Sequence, residues 1–109
     1  MTMAVRNVTR AEGNIFADLG LSNPGERQAK ARLVAVMLRS MRELGLNQTA
    51  AARRMGIPQP KLSNMLRGRM EGVSEAKIAE CLRMLGHDVD YKVGKRHEGV
   101  GQARVLEGA

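Results

Sequence analysis

Residues 46–68 read LNQTAAARRMGIPQPKLSNMLRG. Asn47 can accept from the free backbone N–H groups of a helix running Gln48 to Met55. Ala50, Ala51 and Ala52 favour that helix and leave no bulk, so another helix can cross it closely. Gly56 ends it, Ile57 is an apolar plug, and Pro58 and Pro60 fit a helix start but not a helix interior. A second short helix therefore begins near Gln59 and runs to about Arg67, before Gly68. Two short helices joined by Gly56-Ile57-Pro58 make a helix-turn-helix. The glycine allows a left-handed turn, Ile57 locks the turn to the core, and the second helix stands proud of the surface. Its polar residues Gln59, Lys61, Ser63, Asn64 and Arg67 are of the types that read base edges, Gln and Asn pairing with adenine, Arg and Lys with guanine.

Residues 26–44 carry Leu33, Val34, Met37, Leu38, Met41 and Leu44 at the spacing of one helical stripe, with Gly45 as the stop. Leu62, Met65 and Leu66 are the expected core face of the helix near Gln59. Ser74 opens a further helix with Glu75 at its positive end. Ile78, Cys81, Leu82 and Leu85 form its stripe, and Gly86 closes it. Before the long helix, Ile15, Phe16, Leu19 and Leu21 predict one short helical turn that lays Phe16 and Leu19 on the core, a fifth helical element. After Gly86 the period changes to alternation: Val89, Tyr91 and Val93 on one side, Asp88, Asp90 and Lys92 on the other. That pattern predicts a short strand. A lone strand has exposed edges, so the same strand of a second subunit is its expected partner and the protein is expected to be a homodimer. Residues 1–13 have no sustained period and read as a flexible arm; residues 94–109 read as a flexible tail. The domain between them spans 14–93.

The chain has 109 residues, 43% hydrophobic, 27% charged and 2% aromatic, with a net charge of +7. This suffices for one small core and not for two. With Phe16 and Tyr91 as its aromatics, the interior falls to Leu, Val, Ile, Ala and eight Met. The charge is not spread evenly. Residues 31–70 hold Arg32, Arg39, Arg42, Arg53, Arg54, Lys61, Arg67 and Arg69 against Glu43, whereas both flanks are close to neutral. Charge concentrated in this way implies an anionic partner, and arginine suits forked phosphate or base contacts. No apolar run reaches the roughly 18–20 residues of a membrane span, and no leader is legible, so a cytoplasmic location without membrane association is expected.

Other chemistries fit poorly. Cys81 lies on an apolar stripe and reads as an inert core thiol, and one cysteine makes no internal disulfide. The set Met37, Met41, Met55, Met65 and Met84 reads as adaptable core. Cys81, His87, Asp88 and His97 match no zinc spacing, so no metal or other cofactor is expected. His87 reads as a helix-end residue. No P-loop, GxSxG or HExxH occurs, and a small basic ribonuclease would need His, Tyr and Arg together on a sheet, so no enzymatic activity is expected. Few aromatics for stacking disfavour single-stranded or structured RNA.

The run Leu46–Gly68 resembles the Xre family of phage-repressor-like DNA-binding domains. More narrowly, Asn14-Ile15-Phe16-Ala17-Asp18-Leu19-Gly20-Leu21 together with Leu85-Gly86-His87-Asp88-Val89 resembles the short members that include HigA-type antitoxins. The resemblance implies an all-α, compact five-helix domain, here with the short C-terminal β-strand added. It implies that Gln48 touches phosphate and buttresses Gln59, and that Gln59, Lys61, Asn64 and Ser63 face base edges. Arg67 and Arg69 would meet backbone, as would Arg53 and Arg54 from their charge and place. The function implied is sequence-specific binding of double-stranded DNA at a palindromic operator by a transcriptional regulator, expected to be a repressor. The alternative is an antitoxin that neutralises a small toxin and autoregulates its operon. Two departures stand out: Pro58 replaces the usual Ser or Thr cap, and Ala50 replaces a common Glu that would complete a capping box.

Overall fold

In the computed structural model, which describes residues 24–108, the chain forms four helices: α1 (Pro24–Glu43), α2 (Gln48–Met55), α3 (Gln59–Leu66) and α4 (Glu75–Met84). Each boundary has a local cause. Asn47 and Ser74 accept from the Ala50 and Lys77 N–H groups at 2.8 and 3.1 Å, capping α2 and α4. All four helices end with the same paired hydrogen bonds, in which a glycine and the residue after it bond back across the last turn. The pairs are Gly45 to Arg42 O with Leu46 to Met41 O, and Gly56 to Arg53 O with Ile57 to Ala52 O. They recur as Gly68 to Met65 O with Arg69 to Asn64 O, and Gly86 to Arg83 O with His87 to Leu82 O. The residue after each glycine then decides where the chain goes: Ile57 is buried, while Arg69 is exposed.

α1 packs on α4 and α3, and α2 packs on α3 and α4. The shared core includes Met37, Met41, Ala51, Ala52, Met55, Ile57, Leu62, Met65, Ile78, Cys81, Leu82 and Leu85. Ala51 and Ala52 are 0% and 2% exposed, buried where α2 packs on α3 and α4. Burial pushes the Cys81 thiol above its usual range. A thiol reagent should therefore label it slowly in the native protein and rapidly in denaturant; native labelling at the denatured rate would show the helix pair opening freely.

Several expectations require correction. The fifth element, Ile15–Leu21, lies outside the described residues, as does the arm. Among the described residues there is no strand: His87 to Val93 carries no ladder, because alternation alone supplies no hydrogen-bond partner within one chain. Val89 packs against the core, but Tyr91 and Val93 are 68% and 84% exposed. Leu44 and Met84, expected in the core, are largely exposed. Leu44 follows the last turn of α1, and Met84 falls one helical turn from exposed Glu80. Buried instead are Ala29, Val36 and, among polar residues, Ser40, whose hydroxyl hydrogen-bonds His87 Nε2. His87 is thus more than a helix end: it ties the segment after α4 to α1. Residues 94–108 have no helix or strand, and their Glu107 pairs with Arg39 at 2.8 Å, raising the guanidinium pKa through that hydrogen bond and charge. Among the described residues no helix is long and apolar enough to cross a membrane.

Candidate nucleic-acid interface

Gly56 sits at φ +73°, the left-handed conformation that the turn between α2 and α3 requires. The chain reverses there, buries Ile57 and leaves through Pro58 at φ −62°, ψ 141°. Pro58 has no side chain to cap α3. The loss is offset locally. Pro60 has no N–H to satisfy, and the Lys61 and Leu62 N–H groups both reach Pro58 O, at 3.1 and 3.2 Å. The departure from Ser or Thr therefore leaves no capping donor stranded at the positions such a side chain would serve.

Leu62 and Met65 fix one face of α3 to the core, which turns Gln59 and Asn64 outward and leaves Lys61 and Ser63 half-buried at the edge of that surface. Gln59 Nε2 donates to Gln48 Oε1 at 3.2 Å, joining the first residues of α2 and α3. A glutamine held by a neighbour loses less rotamer freedom when it meets a base. Arg53 is exposed on α2. Arg54 is exposed too, but its Nε donates to Met84 O at 3.2 Å, so part of the side chain is engaged at the C-terminal end of α4. That contact joins residues thirty apart and has no local signature.

Arg67 and Arg69 follow α3 and are exposed. The Arg69 N–H to Asn64 O bond, at 2.9 Å, folds the loop back beside α3. Lys61, Asn64, Arg69, Glu71, Gly72 and Val73 consequently line one open cleft of about 280 Å³. The inclusion of Glu71 was not legible in helical periodicity, because it arises from the loop. No Asp or Glu lies between Glu43 and Glu71, so the surface presented by α2 and α3 is cationic. Among the described residues no group of three or more His, Cys, Asp or Glu is placed to hold a metal ion.

Residues 15–94 match the family described as helix-turn-helix domain. Among solved structures, one assigned to the XRE family of transcriptional regulators is similar to this chain, at 34% identity and a TM-score of 0.65. The match covers 77% of this chain and 94% of that one. No curated protein matches the chain.

Proposed function

The chain belongs to the XRE family of helix-turn-helix transcriptional regulators, a DNA-binding family, and from that premise we propose that α3 reads the major groove of a specific duplex. The observation carrying this reading is the Gln48–Gln59 pair, which sets an amide at the exposed start of α3 within a cationic surface. Gln59, Lys61, Ser63 and Asn64 contact base edges. Gln48, Arg53, Arg54, Arg67 and Arg69 contact phosphates, with Arg54 dividing its donors between DNA and the end of α4. The protein acts as a repressor by occupying its operator. It does so as a homodimer joined through the segment that carries Val89, Tyr91 and Val93, where the exposure of the Tyr91 and Val93 side chains in one chain supports a contact between copies. Two-fold symmetry gives a palindromic operator with half-sites roughly 34 Å apart.

The test is binding-site selection from random duplexes. It should return an inverted repeat, and Gln59→Ala should lose about 1–3 kcal/mol of discrimination at one position of each half-site. Recovery of no motif, or undiminished discrimination by the variant, would refute the assignment of α3. The finer reading as an antitoxin rests on the resemblance of 14–21 and 85–89 to HigA-type proteins. Its toxin-facing part would be residues 1–25 or residues 94–109, and a small toxin encoded beside this chain would bind it in a pull-down.

A further inference from the structure

The cleft beside α3 contains a group that phosphate recognition cannot use. Four of its polar side chains, from Lys61, Asn64, Arg69 and Glu71, make no ion pair or hydrogen bond with one another. Lys61 is half-buried and the other three are exposed. Glu71 is held there by two backbone features. Arg69 N–H bonds to Asn64 O, and a turn closes from Met70 O to Val73 N–H at 3.1 Å with Gly72 at φ +76°. That positive φ at the third turn residue is what a type II turn requires, so the side chain before it has a fixed origin.

The chemistry of the four groups narrows the ligand. A phosphate offers acceptors alone; it would satisfy Lys61 and Arg69 but would repel Glu71. A base-pair edge in the major groove offers acceptors and an amine together. Guanine O6 and N7 take donors from lysine or arginine, and the paired cytosine N4 amine needs an acceptor, which Glu71 supplies. Glu71 is also the first carboxylate after Glu43, so the long cation-only run ends where an acceptor would be needed.

We infer that the cleft formed by Lys61, Asn64, Arg69 and Glu71 reads one G·C pair in each half-site, with Glu71 accepting from cytosine N4 and Lys61 donating to guanine. This rests on the assignment of α3 to the major groove, and it adds a specificity residue from outside that helix. Arg69 can still reach a flanking phosphate while bordering the cleft.

Selection from random duplexes with the full chain and with Glu71→Gln and Glu71→Ala tests it. The wild type should require G·C at one position near the Lys61 end of the contacted region. Glu71→Ala should relax that position about tenfold, Glu71→Gln, which keeps an acceptor oxygen but not the charge, should relax it less, and both should leave the positions read by Gln59 unchanged. Lys61→Ala should relax the same position and no other. A uniform rise in affinity for all duplexes on removing Glu71, with the motif intact, would mean that the carboxylate merely repels DNA and would overturn the inference. Unchanged affinity and motif in Glu71→Ala would overturn it equally. Wild-type selection yielding no motif at all would instead remove the reading of α3 on which it rests.

Discussion

Replacing Leu62 with alanine should destabilise the protein by about 2–5 kcal/mol, the range for a buried leucine whose cavity relaxes only partly. Leu62 is fully buried, and with Met65 it fixes α3 to the core. A small domain has only about 5–15 kcal/mol to lose, so the urea midpoint should fall sharply. Leu44→Ala is the control. Leu44 is 44% exposed, and its truncation should change stability by no more than about 0.5 kcal/mol. Equal costs at the two sites would mean that α3 is not anchored through Leu62. Because Leu62 leaves the outward surface of α3 intact, its DNA preference should survive at temperatures where the variant remains folded.

The second large effect is on affinity. Arg53, Arg54, Arg67 and Arg69 each neutralise a phosphate in the proposed complex, and a dimer doubles the set. Binding that displaces counterions from 6–10 phosphates weakens by about 10³–10⁵ between 50 and 200 mM salt. A titration of the selected duplex over that range should show this steepness. Arg53→Ala should reduce the slope by about one for each phosphate that is no longer neutralised, and should weaken all duplexes to a similar degree. A slope as shallow as one or two neutralised phosphates would give would dismiss the arginine set as the source of affinity. Arg54→Ala differs in kind, since it also removes the donor to Met84 O.

The parts legible in the sequence are those decided locally. Asn47, Gly56, Ser74 and Gly86 mark boundaries because caps act within one turn, and the observed helix limits follow them. Stripes such as Ile78, Cys81, Leu82 and Leu85 are readable because the helical period maps directly onto burial. Leu44 and Met84 escape that rule because hydrophobicity fixes neither the last turn of a helix nor how far its neighbour extends. Ser40–His87, Arg54–Met84 and the return of Glu71 beside Lys61 depend on how separate elements meet, and no spacing rule contains that. The alternation at Val89–Val93 reports a capacity to pair, whereas a ladder also needs a second strand.

The Pro58-Gln59-Pro60 lead into α3 has a consequence for the thermodynamics of recognition. Two of three successive φ angles are locked by rings, and the first turn closes onto Pro58 O before any partner arrives. Little main-chain entropy is left to lose at this end of α3, so ordering on binding is confined chiefly to the side chains of Gln59, Lys61 and Asn64. The same prolines strip donors from the helix tip, leaving α3 ill-equipped to grip an anion through its amides. It therefore meets DNA as a stiff template whose information is carried almost wholly by side chains.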